Sequence, residues 1–140
     1  MKMPSRLSEL GAALSKLQPI HSGSRHELFR WDRPDGAVVI KRRAAESTAE
    51  SATASLRHEF ELLRDITLTG AVRVLGLIDT ERGLALALED AGDSNLIQRI
   101  QSGPLAMTAF LDIAVQLTEA VARLHEARII HRDIHPGNVV

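Results

Sequence analysis

At 140 residues the chain is long enough to bury one core, and with 44% hydrophobic and 25% charged residues its composition is that of an ordinary globular domain. A net charge of −1, with no basic cluster beyond Lys41-Arg42-Arg43, gives no electrostatic reason to expect a nucleic-acid partner. The lack of cysteine excludes a disulfide framework, thiolate chemistry and cysteine-ligated zinc.

The start, Met1-Lys2-Met3-Pro4-Ser5-Arg6, leads into a stretch broken by Ser8, Glu9 and Gly11, unlike a signal peptide. No later run approaches membrane-spanning length, so a cytoplasmic protein without a membrane segment is expected. Leu7, Leu10, Leu14 and Leu17 fall at helical spacing and predict a short amphipathic helix over Ser5 to Leu17. His21 to Ser24 reads as a turn, followed by a strand over Glu27 to Trp31. Arg33-Pro34-Asp35-Gly36 is a turn signal, since proline presets φ and glycine accepts positive φ. Ala37 to Lys41 then returns as a largely buried strand. From Glu50 to Ile66 the period becomes helical, with Leu56, Phe60 and Leu63 on one stripe. Ala71 to Ile78 and Leu84 to Leu88 predict two strands joined by a turn at Asp79 to Gly83. A polar linker over Glu89 to Ser94 and a short helix at Asn95 to Gln101 follow. Met107 to Glu126 carries the clearest helical stripe, through Phe110, Ala114, Leu117, Val121 and Leu124. The fold class is therefore α+β: five antiparallel strands and one packed helix, then a long helix that needs further surface to cover it.

The chemistry concentrates in the last ten residues. In His131-Arg132-Asp133-Ile134-His135-Pro136-Gly137-Asn138 an aspartate precedes an asparagine by five residues, with a Pro-Gly turn between them. Such an aspartate can accept a hydroxyl proton, and such an asparagine can offer a neutral oxygen to magnesium. A polar surface turn, or a metal site built from His131, Asp133 and His135, remains open at this level. Upstream, Lys41 ends the apolar run Val38-Val39-Ile40, and a lysine there needs an ion partner if it is buried. Glu59 flanks the stripe of the Glu50–Ile66 helix and is the candidate partner, with Glu61 as the more solvated fallback.

These residues resemble the protein kinase family, in the eukaryotic-type Ser/Thr form found in bacteria. The loop His131 to Asn138 resembles the H-R-D-L-x-x-x-N catalytic loop, with Ile134 in place of Leu, and Val38 to Lys41 resembles the V-A-I-K strand. The resemblance covers Leu17 to Val140 and implies a small sheet lobe over 17–89, a hinge over 90–95 and the start of a helical lobe over 96–140. It implies ATP and Mg2+ as cofactors and a protein hydroxyl as substrate, and it admits further signalling domains. Asp133, Arg132, His135 and Asn138 would be catalytic, with Asn138 also a metal ligand. Lys41, paired with Glu59, would hold the α- and β-phosphates, Glu89 and Ala91 would meet the adenine edge by their backbone, and Asn95 would face the ribose. The glycine-loop pattern G-x-G-x-x-G-x-V falls on His21 to Leu28, where Gly23 is the one glycine kept and Leu28 takes the valine position. His135 stands where protein kinases carry lysine, and Asp133 to Asn138 also resembles the loop of aminoglycoside and choline kinases. Arg132 favours the protein-kinase side. A non-catalytic nucleotide-binding or interaction module is the third reading. No Asp-Phe-Gly segment follows within the 140 residues, so this chain by itself is expected to be a truncated, inactive piece of marginal stability. Phosphorylation by the purified chain would contradict the first expectation, and a cooperative monomeric melt the second.

Overall fold

A computed structural model of the chain describes residues 17, 19–22, 26–34, 36–44, 49–80, 83–92 and 94–140. The helix expected over Ser5 to Leu17 lies, but for Leu17, outside the described residues. The chain forms two compact units: residues up to Ile66 with Arg73–Asp90, and Thr67–Val72 with Ala91–Val140.

Among the described residues the first unit is a five-stranded antiparallel sheet with one helix. Its strands are β1 (Pro19–Ser22), β2 (His26–Trp31), β3 (Val38–Arg43), β4 (Val74–Thr80) and β5 (Gly83–Glu89), in the order β1-β2-β3-β5-β4. The helix, α1 (Ala49–Leu63), lies in sequence between β3 and β4. Strict alternation of burial along β3 fixes the register, because a slip of one residue would exchange its two faces. One face carries Phe29, Val38, Ile40, Ile78, Ala85 and Ala87 in a closed cluster with Leu17, Trp31 and Leu75 against it. The other face carries Val74 and Leu86, which meet Leu56 of α1, with Phe60, Leu63, Leu77 and Leu88 around them. The stripe read from the sequence is thus the surface by which α1 docks.

Four local readings change. His21 and Ser22 belong to β1, an exposed edge strand, rather than to a turn. Lys41 lies within β3 rather than at its end, because the two arginines after it continue the ladder. Arg42 pairs in register with Glu27, its guanidinium bonds the Glu27 carboxylate at 2.8 Å and it covers the Phe29 ring at 4.5 Å from its centroid. The turn expected over Asp79 to Gly83 shrinks, since β4 runs to Thr80 and β5 resumes at Gly83. Strand β4 begins at Val74 and not at Ala71, because Thr67–Val72 is a loop of the second unit. There Gly70, at φ +88°, approaches Ala120 so closely that a Cβ would come within 2.9 Å of the Ala120 Cβ. The Arg123 guanidinium also donates to the Thr69 carbonyl at 3.3 Å.

The second unit contains α2 (Leu96–Gln101), α3 (Met107–Glu126) and a single 3-10 turn at Pro136–Asn138. Asn95 and Gln98 form a reciprocal capping box that starts α2. Helix α3 stops without a glycine: Arg128 takes φ 61°, its N–H bonds the His125 carbonyl, and Ile129 N–H bonds the Leu124 carbonyl. This left-handed stop precedes the His131–Asn138 loop. Of the predicted α3 stripe Leu124 is buried, together with Ala120 outside it, whereas Phe110 is 54% exposed beside Met107, Leu111 and Val115. No helix among the described residues is long and apolar enough to cross a membrane.

Candidate active-site residues and family membership

In the first unit, antiparallel register sets Leu28 opposite Lys41 and Lys41 opposite Leu86, so the three share the face on which α1 packs. Glu59 projects from α1, one turn beyond Leu56. Its two carboxylate oxygens accept from Lys41 Nζ at 2.9 and 2.8 Å, with both side chains largely shielded. A bidentate, charge-assisted contact of this kind fixes the ammonium in direction as well as position. Glu61, the fallback, is instead solvent-facing and lies 3.5 Å from Arg64. Glu89 closes β5 opposite Val38, and its N–H donates to the Arg73 carbonyl at 2.9 Å. Gly23 lies outside the described residues.

In the second unit, Asp133 and Asn138 are brought together. Asn138 Nδ2 donates to the Asp133 backbone carbonyl at 2.9 Å and to its Oδ2 at 3.2 Å. The 3-10 turn closes that five-residue loop, and Leu96 N–H ties its far end by bonding the Val139 carbonyl at 2.8 Å. His135 caps the turn: its Nδ1 accepts from Gly137 N–H, while its Nε2 lies 3.9 Å from Asp133 Oδ2. A Cβ at Gly137 would meet the His135 ring at 2.8 Å and Ile97 Cδ1 at 3.3 Å, so a side chain there would have to displace the capping ring. Arg132 adopts φ 63°, a left-handed conformation that costs a non-glycine residue about 1–3 kcal/mol. Among the described residues no three histidine, aspartate or glutamate side chains gather to hold a metal, which removes the His131–Asp133–His135 metal site. His131 Nδ1 accepts from Asp133 N–H instead. Asn95 spends its side-chain oxygen on Gln98 N–H, and Ala91 is exposed just beyond the end of the first unit.

Comparison with known families settles membership, for the protein kinase domain model matches residues 23–140. The chain belongs to the protein kinase family. A probable serine/threonine-protein kinase of Dictyostelium discoideum is 30% identical over 104 residues, which is 74% of this chain and 21% of that protein. Serine/threonine-protein kinase 36 of Pongo abelii is 27% identical over 127 residues, covering 89% of this chain and 10% of its own length. Serine/threonine-protein kinase pkn2 of Myxococcus xanthus is 27% identical over 126 residues, or 88% of this chain and 15% of that protein. The kinase chain thus spans between 10% and 21% of the length of these relatives.

Protein kinases use ATP with Mg2+, and the donors present suit parts of that pair. Lys41 Nζ lies within hydrogen-bond distance of both Glu59 oxygens, and an ammonium with three N–H donors keeps capacity for an anionic oxygen. Asn138 Oδ1 receives no hydrogen bond from a described residue, because both amide contacts to Asp133 run through Nδ2. A neutral amide oxygen of that kind is a suitable magnesium ligand, although it is one ligand where the ion takes six. Sequence reasoning missed three ion pairs around the sheet: Arg42–Glu27, Arg30–Asp90 and Arg73–Glu89. Charge alone signals none of them, since 14 of the residues in this chain are arginines and only register decides which meet a carboxylate.

Proposed function

We propose that these residues form the nucleotide-holding and catalytic-loop elements of an ATP-dependent kinase that phosphorylates serine or threonine hydroxyls of proteins in the cytoplasm. The observation that carries the reading is the bidentate Lys41–Glu59 contact, in a chain whose other unit holds Asp133 and Asn138 together. Bound ATP supplies the γ-phosphoryl group, and magnesium offsets its charge. Lys41, aimed by Glu59, holds the α- and β-phosphates, and Leu28 lends an apolar wall on the same sheet face. The backbone at Glu89 and Ala91 meets the base; the Glu89 contact uses its carbonyl, since its N–H is already bonded to Arg73. Asn95 stands near the ribose in this reading, through its amide nitrogen, because its oxygen caps α2. Gly23 lends its backbone to the phosphates.

At the catalytic loop Asp133 accepts the proton of the attacking hydroxyl as the new P–O bond forms and the bond to the leaving diphosphate breaks. Asn138 and Arg132 hold the aspartate in place, and Asn138 offers Oδ1 to magnesium. His135 presents Nε2 beside the carboxylate, where lysine would present an ammonium. Support for protein hydroxyls comes from the serine/threonine kinases to which the chain is similar. In any preparation that contains these residues and turns over ATP, Asp133→Asn is expected to slow transfer about 10²- to 10⁴-fold, the range for loss of a general base. ATP affinity should stay unchanged, since the side chain is 75% exposed and the Asn138 contact to its backbone persists. Transfer to a generic protein acceptor, measured against an aminoglycoside and choline, decides the substrate class. Labelling of the small molecules alone would overturn the protein-kinase assignment.

A further inference from the structure

Glu89, the last residue of β5, and Asp90 just after it are held by cationic partners from different segments, Arg73 just before β4 and Arg30 of β2, all within the first unit. Arg30 sits opposite Val39, which sits opposite Leu88, so Arg30 shares the sheet face of Leu28 and Lys41. Its Nη2 reaches Asp90 Oδ2 at 2.6 Å across 60 residues of sequence, and the Asp90 side chain is only 14% exposed. A second carboxylate, Asp32, lies 3.4 Å from Arg30 Nε. Glu89, one residue earlier, is anchored elsewhere: its Oε1 accepts from Arg73 N–H at 2.9 Å and its Oε2 lies 3.5 Å from Arg73 Nε. The Glu89 N–H returns to the Arg73 carbonyl, so that residue is bonded through both backbone and side chain. Neighbouring side chains of extended backbone leave on opposite sides. Gripping both therefore fixes the peptide plane between them, which one ion pair would leave free to rotate.

We propose that Arg30 and Arg73 are positioning residues that clamp the Glu89–Asp90 peptide as the rigid edge presented to the nucleotide base. The inference rests on the nucleotide reading above. Orienting this peptide before binding removes an ordering cost that a free polar linker would impose at the moment of binding. The Asp90 carboxylate also occupies the Arg30 guanidinium, so Arg30 serves the base edge and not the phosphates.

The test uses the 140-residue chain, its Arg30→Ala variant and the charge-swapped R30D/D90R pair. Each is titrated with adenosine and, separately, with inorganic tripolyphosphate, and amide hydrogen exchange is followed at residues 89–91. Arg30→Ala should speed exchange at Asp90 and Ala91 and weaken adenosine binding about five- to ten-fold, with tripolyphosphate binding unchanged. The swapped pair should recover both, which separates the clamp from a general loss of stability. Unchanged exchange and adenosine affinity in Arg30→Ala would overturn the clamp. A loss confined to tripolyphosphate would overturn it too, making Arg30 a direct phosphate ligand. A parent chain that binds neither probe would overturn the nucleotide reading itself, a result distinct from failure of the clamp.

Discussion

Replacing Lys41 by methionine is expected to weaken magnesium-ATP binding about 10- to 100-fold, the equivalent of the ~1.5–3 kcal/mol carried by a hydrogen bond to a charged group. Methionine keeps the length and most of the apolar stem, so the sheet face around Leu28 and Leu86 stays covered. What disappears is the one ammonium that Glu59 orients at 2.8 Å. Equilibrium dialysis with labelled nucleotide measures the change. The same titration on Glu59→Gln separates two roles for the pair. If Glu59 serves to aim the lysine, the Gln variant loses a smaller share of the affinity, because Lys41 remains but is free to rotate. A Lys41→Met chain that binds magnesium-ATP as well as its parent would show that the pair is a structural ion pair of the sheet and helix.

Leu56→Ala is expected to lower the unfolding free energy of the first unit by about 2–5 kcal/mol, the usual range for truncating a fully buried leucine. Leu56 is 0% exposed and joins α1 to Val74 and Leu86 in one cluster, so its loss leaves a cavity that two rigid elements cannot collapse. Urea denaturation followed by the fluorescence of Trp31, the chain's single tryptophan, reports on this unit directly. Leu62→Ala, on the same helix at 50% exposure, is the control and should stay within about 0.5 kcal/mol of the parent. Equal effects from the two variants would mean that α1 is not docked by the face described. The functional consequence is direct, because the helix that Leu56 seats is the one that carries Glu59 to Lys41.

A good part of both units was legible without coordinates. The apolar run Val38–Ile40 and the helical stripe Leu56, Phe60 and Leu63 are local signals: Val38 and Ile40 entered one buried cluster, and the stripe packs at the other. Helix α3 could be bounded from its apolar periodicity, even though its stop uses an arginine in a left-handed conformation that no residue preference announces. The loop His131 to Asn138 was readable because its chemistry depends on spacing: five residues and a Pro-Gly turn suffice to return Asn138 to Asp133. The Lys41–Glu59 pair was reachable on weaker ground, as a lysine in an apolar run and a glutamate beside a buried stripe.

Periodicity and spacing along the chain were enough for the α+β class, the element order and the residues of the Asp133–Asn138 loop, and the resemblance of that loop and of Val38–Lys41 to known motifs pointed to the family. Only tertiary structure decided which of many arginines meets which carboxylate, that Arg42 is buried over Phe29, and that Arg30 and Arg73 grip consecutive residues at the end of β5. It alone showed that Thr67–Val72 leaves the sheet to lie against α3, where Gly70 has room for a hydrogen and none for a methyl group. The physical reason is common to all of these. Charge pairing and close approach depend on distances between residues tens of positions apart, set by strand register in the first unit and by the packing of loop on helix in the second, neither of which local propensity encodes.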